Sequence, residues 1–403
     1  MRSFDIPEHF RSPIITLVKA RRKELDGRKL DFSPTLLNFG NVKIQLARHF
    51  GFCFGVENAI EIAYKAIFEN PDKRIFLLSQ MIHNPEVNED LESRGVMFLM
   101  DTQGNEMTPF SEVKAEDVVI IPAFGMTLEM EAKLLKIGVD VAKYDTTCPF
   151  VEKVWKRSGK LGGDNFTVII HGKPAHEETK ATFSHASKTG AALVVEDMQE
   201  AKALANMMRG GDEGFAKMFN GRTSEGFDFN RDLKNIGVVN QTTMIASETQ
   251  AIADILKEAS TEFANTKDTL CYATNDNQRA TIGALDDGGA DLVVVVGGYN
   301  SSNTNHIVEI CEKEKPTYFV RNELEWDDSG DLNHFDIHKQ ERVIAKQFLS
   351  EVFDLKKVPT ILLTSGASCP DASIERVLHK ILESFPGEKD VDSVLKNWVE
   401  KSR

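Results

Sequence analysis

Cys53, Cys148 and Cys271 each stand at the mouth of a helical pattern, in GFCFGVENAIEIAYKAI, DTTCPFVEKVWKRSGKL and DTLCYATNDNQRATIGAL. Each is followed by an apolar run (RIFLLSQ, NFTVII, DLVVVVGG) and then by a polar turn (MIHNPEV, HGKPAHEET, YNSSNTNHIVEI). The turns place His83, His176 and Ser301 about thirty residues beyond their cysteines, a spacing that marks an internal repeat. Each copy adds a further strand, loop and helix: VVIIPAFGMTLEMEAKLL, NIGVVNQTTMIASETQAI and TILLTSGASCPDASIERVL. Thiolate is a soft ligand, suited to zinc, Cu(I) and iron–sulfur clusters. Structural zinc sites draw on close C-x₂₋₄-C pairs, and these three cysteines form none. Iron–sulfur clusters commonly take four cysteines. A [4Fe–4S] cube held by three would leave one iron open to a substrate oxygen as a Lewis acid. Three copies with one thiol each suggest a ring of three units about a shared centre.

The polar loops fit an anionic partner. Asn300–Asn303 (NSSN) offers hydroxyls, amides and backbone N–H groups at a helix start, a natural anion site. Gly366–Ser368 (GAS) and Gln241–Thr243 (QTT) occupy matching places in the other strand-end loops, and His83 and His176 can donate to phosphate oxygens. Taken singly, such residues are ordinary helix caps, and Glu178 is an ordinary first-turn acid. Their recurrence around one centre favours a site, with Glu178 as its proton donor. Cys311, in HIVEICEKE, fits an apolar helix face, and Cys369 has no counterpart in the other copies.

The elements that must position these groups are legible too. From about Val42, β-branched runs alternate with helical patterns, which predicts an α/β fold built of βαβ units with ligand loops at the strand ends. The expected division is an N-terminal extension (1–44), a first repeat (45–145), a second (146–268) with an insertion near 205–235, a third (269–368), and a C-terminal helical segment (369–403). Residues 325–345 read as a second, charged insertion, and SPIITLVKARRKELDG as an amphipathic surface helix. The 403 residues carry a net charge of −14, which argues against general nucleic-acid binding. No apolar run approaches the roughly 20 residues that span a bilayer. The N-terminus lacks an apolar signal region and the five cysteines are an odd number, which together point to a reducing cytoplasm.

The ordered motifs GFCFGV, IHNPEV, DTTCP, HGKPAHEET, NQTT, CYATNDNQ, GGYNSSNT and TSGAS closely resemble the 4-hydroxy-3-methylbut-2-enyl diphosphate reductases, the LytB/IspH family, from about Val42 to Leu378. The resemblance implies a three-lobed α/β trefoil around a [4Fe–4S] cluster. It implies reductive dehydroxylation of an allylic diphosphate to isopentenyl and dimethylallyl diphosphate, with electrons from ferredoxin or flavodoxin. By position, Cys53, Cys148 and Cys271 match the cluster ligands. His83, His176, Ser301, Ser302, Asn303 and Ser368 match the diphosphate residues, Thr242 a hydroxyl beside the reacting end, and Glu178 the proton source. PAFGMT departs from the commoner bacterial pattern, because Phe124 stands where a histidine is usual. That Phe, the extension and the 205–235 insertion resemble the longer plant and cyanobacterial branch. Lys173 is a candidate replacement for the lost diphosphate donor; the alternative is a solvated loop lysine, with backbone amides or water in that place. An iron–sulfur hydro-lyase and a non-catalytic iron–sulfur sensor are the competing readings.

Overall fold

The computed structural model describes residues 4–402 except 212, 265–268, 270, 328, 347, 349–357, 386 and 388. Ser12 starts α1 (Pro13–Leu25). Its Oγ accepts the Ile15 N–H at 2.9 Å, and Pro13 takes the first helical position, where no N–H is required. Ile14, Ile15 and Val18 form the buried face. Strands β1 (Thr35–Asn38) and β2 (Lys43–Leu46) follow and pair antiparallel.

One order of elements is then built three times. The first copy comprises α2 (Phe54–Glu69), β3 (Ile75–Leu77), α3 (Pro85–Ser93), β4 (Val96–Phe98), β5 (Val118–Ile120) and α4 (Leu128–Ile137). The second comprises α5 (Pro149–Gly163), β6 (Thr167–His171), α6 (Glu177–Ser187), β7 (Ala192–Val195), α7 (Met198–Met208), α8 (Phe229–Asp232), β8 (Asn235–Asn240) and α9 (Ala246–Ala259). After β9 (Glu262–Ala264) comes the third: α10 (Tyr272–Asp286), β10 (Leu292–Val296), α11 (Ser302–Glu312), β11 (Thr317–Val320), β12 (Leu332–Asp336), β13 (Glu341–Ala345), β14 (Thr360–Ser365) and α12 (Asp371–Glu383). α13 (Val391–Lys401) ends the described chain.

In every copy the first strand is central, with the second and third parallel on its two sides: β4-β3-β5, β7-β6-β8 and β11-β10-β14. β6 and β10 are buried along their whole length, which is why they read as the unbroken apolar runs TVIIH and LVVVV rather than as alternating ones. The α/β class expected from the patterning is therefore the class of the structure.

The strand ahead of each cysteine joins the sheet of the copy before it. β9 runs parallel beside β8. β2, ahead of Cys53, runs parallel beside β14 of the third copy. Ahead of Cys148, Asp145 makes a parallel bridge to Ile121, just past β5. Each cysteine thus sits where the chain leaves one sheet and enters the next copy's first helix. β2 belongs inside the third sheet, so the chain preceding the first repeat is not a mere appendage.

The chain divides into two compact units: Met1–Phe54, His83–Pro85 and Tyr272–Arg403, and Gly55–Ile82 with Glu86–Cys271. The first is organised around β10 and β14, with Leu37, Ile44, Leu46, Ile307, Leu363, Ile374 and Ile381 in its core. The second has hydrophobic clusters on its β6–β8 and β3–β5 sheets. The two insertions are structured. Phe219 and Leu233 bury into the core beside β8, and 332–345 forms the β12–β13 hairpin, whose Phe335 stacks on Tyr299 at 4.6 Å.

Candidate active site

In the second unit the loops after β6 and β8 meet. Gly172 has to be glycine here, because a Cβ would lie 2.6 Å from Thr179 Oγ1 and 2.9 Å from Gln241 Cβ. Gln241 Oε1 accepts from Lys173 N–H at 3.1 Å and from Thr179 Oγ1 at 3.0 Å, joining the two loops. His176 is the N-cap of α6, its Nδ1 accepting the Glu178 N–H at 3.1 Å. A neutral His176 ring therefore carries its proton on Nε2. Glu178, only 1% exposed, accepts from the Thr242 N–H at 2.5 Å and the Thr242 Oγ1 at 2.9 Å. Burial pushes its carboxyl up to about 7, against the pull of those two hydrogen bonds. Such a group exchanges a proton near neutrality.

The PAFGMT loop flanks this arrangement. The Phe124 ring meets His176 edge-on, with centroids 5.4 Å apart. Gly125 sits at φ +77°, and a Cβ there would lie 2.3 Å from the Trp155 ring, which itself stacks on His185 at 3.9 Å. Cys148 caps α5, and its N–H donates to Ala123 O at 3.0 Å. Burial pushes its thiol up to about 11. The Phe150 N–H opposes this, and nearby Cys271 adds to it. The Lys173 ammonium lies close enough to Glu196 to act on its carboxyl.

In the first unit Ser301, Ser302, Asn303 and Ser368 are all buried at the start of α11 and the end of β14. Ser301 caps α11, its Oγ accepting the Thr304 N–H at 3.3 Å and standing 3.1 Å from Ser368 Oγ. Asn303 Oδ1 accepts the Ala367 N–H at 2.8 Å, and its Nδ2 donates to Thr274 Oγ1 at 3.3 Å. Ser302 Oγ lies 3.4 Å from His306 Nε2. Ser368 Oγ donates to His83 O at 3.5 Å, and burial holds the His83 imidazole down at about 4, so it is neutral. The Cys53 N–H donates to Ala367 O at 3.2 Å. Cys311 and Cys369 lie fully buried in the hydrophobic core of this unit.

The copies explain one another. Glu178 and Asn303 are each the second residue of their helix, and each accepts an N–H from the loop after the copy's last strand. One place holds an acid, the other an amide. Thr179 and Thr304, which pack against Gly172 and Gly366, were not singled out in the sequence. Their equal spacing from Gly172 and Gly297 is a signal that could have found them. Trp155 carried no such signal, because its role depends on a glycine in a distant loop.

Among the described residues no three His, Cys, Asp or Glu side chains gather closely enough to share a single metal ion. The donor chemistry bears on a larger group. Burial, with a smaller part from nearby Cys271, raises the cost of ionising Cys148, so a cationic centre is what would stabilise its thiolate. None of the five cysteines is in a disulfide.

The LytB protein family model matches residues 44–382. The 4-hydroxy-3-methylbut-2-enyl diphosphate reductase of Prochlorococcus marinus (strain MIT 9211) is 39% identical over 390 residues, 93% of each chain. That of Synechococcus sp. (strain RCC307) is 40% identical over 359 residues, 86% of this chain and 85% of its own. A solved structure of (E)-4-hydroxy-3-methyl-but-2-enyl diphosphate reductase, described as the terminal enzyme of the non-mevalonate pathway, superposes with a TM-score of 0.53 at 25% identity, covering 84% of this chain and 99% of that one. The Plasmodium falciparum E-1-hydroxy-2-methyl-but-2-enyl-4-diphosphate reductase shares the fold, with a TM-score of 0.63 at 21% identity over 89% of this chain and 99% of its own. The motifs, the repeated α/β units and these matches lead to one conclusion: the chain belongs to the LytB family.

Proposed function

We propose that this chain is a 4-hydroxy-3-methylbut-2-enyl diphosphate reductase, an iron–sulfur oxidoreductase acting at the last step of the non-mevalonate route to isoprenoids. The observation that carries the reading is the Glu178–Thr242 pair. It is a carboxyl that burial pushes up to about 7, on the helix that His176 caps. The reaction replaces an allylic C–OH by C–H: two electrons and two protons enter, and water leaves. Glu178 supplies protons, and the Thr242 hydroxyl orients its carboxyl. His83, His176, Ser301, Ser302, Asn303 and Ser368 hold the diphosphate, His83 through a neutral imidazole. Asn303 also fixes Ala367, and with it the loop that carries Ser368.

The family is iron–sulfur dependent, and we assign Cys53, Cys148 and Cys271 as the three ligands of one [4Fe–4S] cluster. Bound there, the cluster would supply electrons and an open iron for the substrate hydroxyl. The donor we assign is ferredoxin or flavodoxin, as the family resemblance implies. A reducing cytoplasm suits cysteines that form no disulfide. Anaerobic preparation should give a brown protein with about four irons per chain. Serine at any of the three cysteines should remove the visible absorption and turnover, whereas serine at Cys311 or Cys369 should spare both. Retention of the cluster without Cys148 but not without Cys369 would refute the ligand assignment. Turnover in the absence of any reductant would refute the reaction.

A further inference from the structure

The segment ahead of the LytB match, which begins at residue 44, is not idle. Two of its phenylalanines pack edge-on against the two residues that flank Cys53. Phe4 meets Phe54 with ring centroids 4.9 Å apart at 77°, and Phe10 meets Phe52 at 6.0 Å and 67°. Phe4 and Phe10 are themselves buried. Arg11 Nη2 donates to Phe4 O at 3.0 Å, tying the segment to itself. From α1, the Lys19 ammonium pairs with Asp371 at 2.7 Å and lies 4.8 Å over the Phe50 ring. Between those contacts Gly51, at φ +77°, donates its N–H to Ser365 Oγ at 3.0 Å, and a Cβ on it would strike Asp371 and Lys19. Every residue from Phe50 to Phe54 is therefore held, on one side by the N-terminal segment and on the other by the end of β14 and its loop.

We propose that residues 4–25 act as a clamp on the Cys53 loop, fixing the thiol in place and keeping water and oxidants away from it. Phe4 and Phe10 are positioning residues in this scheme, acting on Cys53 through Phe54 and Phe52. The clamp's relevance to catalysis rests on Cys53 being a cluster ligand; its existence does not. A sulfur ligand with a wandering backbone loosens the group it holds, and water at an iron–sulfur cluster shifts its potential and invites oxidation.

The test uses the full-length protein freed of iron and measures the alkylation rate of each cysteine with iodoacetamide by peptide mass spectrometry. Cys311, buried in the core of the same unit, serves as a gauge of unfolding, and Cys148 as a reference in the other unit. In Phe4→Ala/Phe10→Ala, Cys53 should react roughly tenfold faster, as expected on losing two edge-on aromatic pairs that oppose local opening. Cys148 and Cys311 should be unchanged, and Phe4→Leu/Phe10→Leu should recover part of the protection. An unchanged Cys53 rate overturns the clamp. So does a rise at Cys53 matched at Cys311, which would make the segment a general prop of the fold. In iron-loaded protein, exposure to air should bleach the visible absorption of the alanine variant several-fold faster than that of the parent. Should Cys53→Ser keep its iron while the labelling result stands, the ligand assignment fails and the clamp survives.

Discussion

Glu178 combines a burial that favours its neutral form with two hydrogen bonds that favour its charged one, and burial wins. A proton held that way is available at neutral pH, which a solvent-exposed carboxyl could not offer. Glu178→Gln keeps the shape and the hydrogen bonds but cannot protonate. It should retain iron and diphosphate affinity while kcat falls roughly 10²–10⁴-fold in a single-turnover assay. Activity within a few-fold of the parent would move the proton source elsewhere. Its neighbour Glu177 is half-buried beside Ser79, and the loss of hydration there pushes its carboxyl up to about 7. Between its ordinary value of 4.5 and about 7, the folded state keeps a proton that the unfolded state releases, so Glu177 costs stability as pH rises through that window. The urea midpoint of Glu177→Gln relative to the parent should therefore climb from pH 4.5 to 7 and then level off. A difference independent of pH would show that the carboxyl ionises freely. Lys173→Ala should raise KM about tenfold with kcat little changed if the ammonium serves the diphosphate. An unaltered KM would leave it as the partner of Glu196.

At the scale of the element, the site depends on helix starts brought against strand-end loops with no room to spare. Ser301, His176 and Cys148 begin helices α11, α6 and α5, and the first two spend a side-chain acceptor on capping their helix. Gly366 makes the close approach possible in the third copy: a Cβ there would lie 2.2 Å from Thr304 Oγ1 and 3.0 Å from Asn303 Oδ1. Gly366→Ala must displace one of the two. It should cost about 1–3 kcal/mol of stability by overpacking and raise KM, because Asn303 and Ser368 move with it. A variant with parental melting temperature and KM would mean the loop relaxes freely.

Across the whole molecule, the decisive feature is the exchange of strands between successive copies. β2 is flanked by β1 and β14, so the strand leading to Cys53 is an interior strand of the third copy's sheet. Ile44 lies there with no exposed surface. Ile44→Ala should cost about 2–5 kcal/mol by cavity formation in urea unfolding, and it should also slow iron uptake, because the same strand sets the position of Cys53. Loss of stability with unchanged iron uptake would separate the strand from the ligand.

The order of motifs, the family, the α/β class and the identity of the candidate groups were legible in the sequence, because each depends on local pattern. Buried parallel strands appear as unbroken apolar runs, and thiols, hydroxyls and acids recur at fixed offsets from them. The sequence also contained the three copies, whose spacing follows from the repeated unit itself. Pairing was not legible. That β2 closes on β14, and that the Cys53 and Cys148 amides bond to Ala367 and Ala123 of other copies, are contacts between residues far apart in the chain. Nor could the sequence tell Glu178 from an ordinary first-turn acid, since its proton affinity is set by burial and by Thr242, which reach it only through the meeting of two loops. The N-terminal helix is the amphipathic surface helix its pattern predicts, with Ile14, Ile15 and Val18 on its buried face. What the sequence does not show is that Phe4 and Phe10, ahead of that helix, find partners beside Cys53, because apolar rings bury wherever the folded chain leaves matching rings, and sequence distance does not enter that choice.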